Sequence, residues 1–340
     1  MNIYAGLDVS DKMTHICAVD GDGRILWRDV CASDPEVLAR VLKKRCPGLV
    51  RVVLETGCLS AFLYHGLAER GVPVTCICAR HAKGVLKARV NKSDPHDAEG
   101  LANMARTGWF KAVHIKDSAT HLDRAGLRVR GELVKCFHAM VNQLRGLLKL
   151  FGLRMGVVTT PAKRNERLEA LLMQRAELRP VLAPLIAALT ALEGQIAQSS
   201  RSLKARAASD PVCARLMSVP GVGPITALTF KSSIEDPGRF NKSQDAGAYA
   251  GLVPRRSQSG TRDTMGAISK AGDPMLRSAL YEAANCLLSR VKRKSALQVW
   301  GKALALAKGG KRARVAVARK LAILLHRLWQ SETSFNWAAL

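Results

Sequence analysis

Short apolar runs open the chain and predict an α/β beginning. Residues 2–9 (NIYAGLDV) and 14–20 (THICAVD) read as strands. The turn Gly21-Asp22-Gly23 follows, and residues 24–30 (RILWRDV) resume as a third strand, a hairpin signal. A helix is predicted from about Pro35 to Lys44. RVVLET at 51–56 is continuously apolar, as a strand covered on both faces should be. A helix from about Leu59 to Arg70, a strand VPVTCICA and two helices over about His81 to Arg106 complete the pattern.

Beyond residue 120 the period turns helical. Leu133, Phe137, Met140, Leu144, Leu147 and Leu148 form one stripe between Leu122 and Leu150. A second helical stretch runs from about Ala162 to Ala208. Within it Leu178, Leu182, Leu185, Leu189, Leu192, Ile196 and Leu203 alternate four and three residues apart, with Ser199 in one slot. That spacing is a coiled-coil seam, and it predicts a protruding, dimerising arm. Pro180 and Pro184 place the start of the uninterrupted helix near them. The remainder, from Asp210-Pro211, reads as helices joined by basic loops. Three domains are therefore expected: 1–150, a coiled-coil linker at 151–208, and a mainly α domain at 209–340.

Charge narrows the partners. The 340 residues carry a net charge of +26, and from Arg201 onward 24 basic residues face 8 acidic ones. A polyanion is the natural ligand, because each phosphate contact releases counterions. No apolar run reaches the roughly 20 residues that span a bilayer, and the N-terminus lacks the basic and apolar regions of a signal peptide. The expectation is a cytoplasmic, nucleoid-associated protein with no membrane partner. Nine dispersed cysteines without a CxxC pattern predict reduced thiols rather than a zinc site.

Four carboxylates stand in a suggestive order. Asp8 ends one strand, Glu55 ends another, and Asp94 and Asp97 lie three apart in NKSDPHDAEGLA. Pro95 suits a helix's first turn, so Asp94 is expected to double as N-cap and to share a face with Asp97. Such a cluster would raise its own pKa values unless cations neutralised it, and hard oxygen donors suit Mg²⁺. Asp11, Asp20 and Glu99 are read as surface acids.

Two further segments bear on phosphate chemistry. LMSVPGVGPITALTF at 216–230 has the helix-hairpin-helix pattern, in which Gly221 and Gly223 would free backbone N–H groups for a phosphate. Downstream, Pro254-Arg255-Arg256, Ser257, Ser259, Gly260, Arg262 and the Ser269-Lys270-Ala271-Gly272 element read as a polar, basic phosphate-binding loop, closed by a helix carrying Arg277. In the tail, Arg290, Lys292, Arg293, Lys294, Lys311, Arg312 and Arg314 are candidate phosphate contacts, while Trp300 and Trp329 sit on apolar stripes and read as core.

GLDVSD, LETG and NKSDPHDAEGLA resemble the Asp-Glu-Asp-Asp signature of a RuvC-like, RNase H-fold domain. With AGLVPRRSQSGTR and ISKAGDPMLR, nearly the whole chain resembles the DEDD-type transposases of bacterial insertion sequences, which are bridge-RNA-guided recombinases. The resemblance implies an α/β RNase H-like domain, a helical coiled-coil arm and a mainly α C-terminal domain with a helix-hairpin-helix. It implies that Asp8, Glu55, Asp94 and Asp97 hold Mg²⁺, in two ions, with Mn²⁺ as a substitute. It implies that Ser259 is the nucleophile forming a phosphoserine–DNA link, with Ser257 and Ser269 as lesser alternatives. Its partners would be double-stranded DNA at element ends and target, a structured guide RNA, and further copies in a dimer or tetramer. Three rivals are a metal-dependent junction nuclease using water, an ATPase of the sugar-kinase and actin class, and a non-catalytic nucleic-acid-binding scaffold.

Overall fold

The computed structural model describes residues 1–87, 93–158 and 160–337. The chain divides into two compact units, Met1–Asp117 and Ser118–Leu340.

The first unit is built in the order β1 (Ile3–Val9), β2 (Met13–Val19), β3 (Ile25–Ala32), α1 (Pro35–Arg45), β4 (Leu49–Glu55), α2 (Ser60–Glu69), β5 (Val74–Ile77), α3 (Ala79–Leu86) and α4 (Asp94–Thr107). Its five strands form one sheet in the order β3-β2-β1-β4-β5. The β1–β2 and β2–β3 pairs are antiparallel, while β1–β4 and β4–β5 are parallel. Side chains alternate along each strand and so sort the two faces. Ala5 and Leu7 of β1, with Val52 and Leu54 of β4, pack under Leu38 and Leu42 of α1 and Leu63 and Leu67 of α2. Val53 and Ile77 face the opposite way, onto Leu101 and Met104 of α4. Burial on both faces explains the continuous apolar run of β4.

Local chemistry fixes the connections. Asp34 accepts hydrogen bonds from the Glu36 and Val37 N–H groups at 2.9 and 3.1 Å and caps α1. Asp20 is buried rather than on the surface, because its Oδ1 accepts from the Asp22 and Arg24 N–H groups and closes the β2–β3 turn. Glu99 is half-buried and takes a 2.5 Å bond from Arg28. Asn91 and Lys92 of the NKSDPHDAEGLA segment lie outside the described residues.

The second unit comprises α5 (Ser118–Leu150), α6 (Pro161–Gln174), α7 (Leu178–Ala208), α8 (Pro211–Met217), α9 (Pro224–Ile234), a 3₁₀ turn at Pro237–Arg239 and α10 (Gln244–Tyr249). The strands β6 (Pro254–Ser259) and β7 (Arg262–Ile268) follow, then α11 (Pro274–Ser289), α12 (Ala296–Lys308) and α13 (Gly310–Gln330). The compact units part at Asp117, so α5, assigned to a 1–150 domain on sequence, is built into the second unit.

The leucine seam has a partner within the chain. Leu178, Leu182 and Leu189 are buried against Val141, Leu144 and Leu148 of α5 and Leu168, Leu171 and Leu172 of α6. Farther along, Leu203 packs on Leu127, and Arg130 donates to Ser200 at 2.8 Å, so α5 and α7 run antiparallel. Arg164 makes a two-pronged pair with Glu193 at 2.6 and 2.7 Å. The predicted dimerising seam is thus covered by α5, and α7 begins at Leu178, close to Pro180 and Pro184 where the uninterrupted helix was expected to start. A 3.5-residue period announces that a seam exists; it does not say whose helix fills it. Pro180 lies in the first turn of α7, and Pro184 is inside the helix. By length and composition α7 is the one helix, among the described residues, apolar enough to cross a membrane.

A second core joins α7 through α13, with Phe230, Leu280, Leu287, Leu321 and Trp329 inside it. All nine cysteines are free, and burial pushes the Cys213 thiol up to about 12 and the Cys76 thiol to about 11.

His326 is fully buried on α13, with Nδ1 3.1 Å from Ser243 Oγ and Nε2 3.0 Å from the Pro237 carbonyl oxygen. Burial holds its ring below the ordinary value of 6.5. The unfolded chain therefore binds this proton more readily, so the contribution is complete above pH 6.5 and is lost as pH falls through the lower folded value. Thermal melts of the wild type should drop between pH 7 and 5.5, and His326→Gln should flatten that drop. An unchanged slope in the variant would remove His326 from the account.

Candidate active site and nucleic-acid interface

The acidic site begins at Gly6. A side chain there would meet the backbone of α4, the Ala98 carbonyl oxygen at 2.2 Å and the Ala102 nitrogen at 2.3 Å. Only glycine lets the helix lie so close to β1. Asp8 is two residues on, so it emerges on the α4 face of the sheet. Leu7 pairs with Leu54 in the parallel register, which makes Glu55 the neighbour of Asp8 on the adjacent strand. Glu55 shares the face of Val53, again the α4 side.

Asp94 and Asp97 occupy the first turn of α4, one turn before the Ala98 contact. The N-cap position is Ser93, whose carbonyl accepts from the His96 and Asp97 N–H groups at 2.9 Å; Asp94 is the first helical residue and not the cap. Both carboxylates sit where the helix dipole favours negative charge. All four predicted acids thus come to one end and one face of the sheet.

A fifth residue joins them. His15 pairs with Asp8 across β1–β2, and its Nε2 stands 3.7 Å from Asp94 Oδ2. The sequence reading missed it. Its signal was antiparallel pairing across the tight Ser10–Met13 turn, which sets His15 opposite Asp8. The donor set, carboxylates at one sheet end, fits a hard divalent cation in type. Among the described residues no three such side chains are gathered closely enough to hold an ion, so holding one requires side-chain rotation from this arrangement.

In the second unit, the basic loop predicted around Ser259 is a two-stranded hairpin. β6 and β7 pair from Pro254–Ile268 out to Ser259–Arg262, leaving Gly260 and Thr261 as the tip. Gly260 takes a φ of +55°, which a tight hairpin turn demands at its first position. Both strands are almost wholly exposed. Alternation divides them: Ser257, Ser259, Arg262 and Thr264 share one face, and Arg256, Asp263 and Met265 share the other. Ser259 therefore stands at an exposed tip directly opposite Arg262. Arg256 is on the far face, held by Asp263 through bonds of 2.9 and 2.8 Å.

Other nominated contacts separate into exposed and structural. Lys292, Arg293, Lys294, Lys311 and Arg312 are exposed, with Arg293 over the Trp337 ring at 4.3 Å; Arg314 is half-buried. Arg255, in β6, and Lys270, just past β7, are exposed. Arg277 is committed to the backbone, donating to the Ala250 and Gly272 carbonyls at 3.1 and 3.4 Å. Gly221, with φ +89°, lies against α11, where a side chain would meet the Ala283 carbonyl oxygen at 2.7 Å. The tight turn packs on α11, and Val219 and Val222 are buried beside it. Gly223, at the start of α9, faces open space. Trp329 is core, as expected, but Trp300 is 37% exposed with Lys320 Nζ 3.9 Å from its ring centre.

Comparison with known proteins gives concordant matches. A family model for DEDD transposases of the IS110 kind matches residues 5–152, and one described as the transposase IS116/IS110/IS902 family matches residues 213–299. The transposase for insertion sequence element IS1111A of Coxiella burnetii is 32% identical over 98% of this chain and 91% of its own length. A probable family 20 transposase of Pseudomonas aeruginosa is 32% identical over 97% of this chain and 98% of its own. The transposase for element IS1328 of Yersinia enterocolitica is 28% identical over 85% of both.

Proposed function

Since the chain belongs to the IS116/IS110/IS902 family and is a DNA transposase, we propose that it cuts and rejoins DNA through a phosphoserine formed on Ser259. The observation that carries this reading is the placement of Ser259 at an exposed hairpin tip, directly opposite Arg262. The hydroxyl oxygen attacks the scissile phosphorus and loses its proton as the new P–O bond forms. The bond to the departing DNA oxygen breaks, and that oxygen gains a proton. A DNA hydroxyl later attacks the phosphoserine and releases the serine, so the phosphodiester is conserved without ATP. Arg262 places a fixed charge beside the phosphate, where it stabilises the extra negative charge of the transition state.

The first unit, in this reading, is an RNase H-like, RuvC-like domain, supported by its sheet order and by the four acids at one sheet end. Asp8, Glu55, Asp94 and Asp97 are the residues that would hold Mg²⁺. A bound divalent ion supplies charge neutralisation and polarises a phosphoryl oxygen. His15 stands beside this set, its Nε2 3.7 Å from Asp94 Oδ2. A guide RNA, an oligomeric assembly and a cytoplasmic, nucleoid-associated location belong to the same proposal; the charge of +26 accommodates both nucleic acids.

A covalent trap tests this. Protein, Mg²⁺, RNA transcribed from the element's flank and labelled DNA spanning an element end are mixed, denatured and separated on a gel. A protein–DNA adduct, with its phosphate mapped to Ser259 by mass spectrometry, is the expected product. Cleavage without any adduct would replace the proposal with a junction nuclease using water.

A further inference from the structure

A groove of about 1000 Å³ lies between the β6–β7 hairpin and helices α12 and α13. Its walls carry Lys311, Arg312, Arg319 and Lys320, and no Asp or Glu lines it among the described residues. Its floor is apolar, with Met265 71% exposed and Trp300 37% exposed. Met265 belongs to the hairpin face opposite Ser259. This groove is therefore separate from the surface that offers the serine.

The combination is selective. A duplex shows a protein mainly phosphates and groove edges, and cations alone hold its backbone. An apolar floor between cations suits a strand whose bases are unpaired, since a base face is apolar and stacks on an aromatic ring. The Trp300 ring holds the Lys320 ammonium over the groove, within the range of a cation–π contact. We infer that this groove binds single-stranded DNA, with phosphates on the four cations and a base against Met265 and Trp300, Lys320 moving from the Trp300 ring onto a phosphate as the base takes its place. DNA is the strand assigned because the chain is a DNA transposase. The inference rests on that family membership and not on Ser259 chemistry.

Fluorescence anisotropy with the full chain tests it, using a labelled ten-nucleotide single-stranded DNA, an RNA of the same sequence and a blunt duplex. Trp300→Ala should weaken the single strand about tenfold, the typical loss of one stacked base, while duplex affinity stays within about twofold. Met265→Glu puts a carboxylate in the groove at an exposed position where folding is unaffected, and should weaken the same strand about tenfold by repelling phosphates. Replacing both Lys311 and Arg312 with Gln should flatten the salt slope by about 1.4, at roughly 0.7 per lost phosphate contact. Ser259→Ala should bind like wild type, which separates this inference from the nucleophile. Equal weakening of duplex and single strand, no weakening by either Trp300→Ala or Met265→Glu, or tighter binding of RNA than DNA would overturn it.

Discussion

Ser259→Ala protein should yield no covalent adduct and no rejoined strand, a loss of at least about a thousandfold, while its melting temperature and DNA affinity match the wild type. The expectation of normal folding follows from the site: Ser259 ends an exposed strand, and surface changes of that kind shift stability by about 0.5 kcal/mol or less. Specificity is tested by its neighbours. Ser257 shares the Ser259 face two residues back, nearly 7 Å along the strand. Ser269 lies past the hairpin, where its hydroxyl accepts from the Ala271 N–H at 3.4 Å. Ser257→Ala and Ser269→Ala should both keep the adduct. Loss of adduct in Ser257→Ala with retention in Ser259→Ala would move the nucleophile two residues.

The second large effect is predicted at a residue with no chemistry at all. Gly6→Ala sets a methyl group 2.2 Å from the Ala98 carbonyl oxygen and 2.3 Å from the Ala102 nitrogen. Both are backbone atoms and cannot rotate aside, so α4 has to withdraw by about 1 Å, a strain worth about 3 kcal/mol. Melting should fall by roughly 10 °C. The same displacement carries Asp94 and Asp97 away from Asp8 and Glu55, and a misplacement of that size costs about a hundredfold in rate. Gly57→Ala, where nothing stands within 4 Å, is the control and should melt like wild type. A Gly6→Ala protein as stable as that control would show that the helix does not depend on this contact.

The acidic end of the fold was legible because each step had a strong local signal. Strands ending at Asp8 and Glu55 showed as apolar runs, and Pro95 marked the start of α4. Convergence on one face then followed from alternation alone. The hairpin was not legible, because SQS and TRDT are polar on both faces and carry no period-two contrast, so they read as a loop. The seam of α7 was visible, but its partner α5 was not, since pairing within the chain depends on tertiary geometry. Arg277 looked like a phosphate ligand by residue type, yet the Ala250 and Gly272 carbonyls take its guanidinium. Trp300 shared the stripe pattern of the core residue Trp329, yet it lines the groove beside the hairpin rather than the core.

The two-faced hairpin also bears on how such a chain can vary. Strand alternation has parity, so inserting one residue between the hairpin base and Ser259 would turn the serine to the groove side and bring Gln258 to its place. Two residues would lengthen the hairpin and keep the face. A single insertion is harmless only where a bulge absorbs it, and the pairing already slips once between Pro254 and Arg256. Length changes in relatives should therefore come in even numbers along these strands, or collect at that irregularity near the base. The tip, where Gly260 sets the turn, should be the segment least tolerant of any change in length.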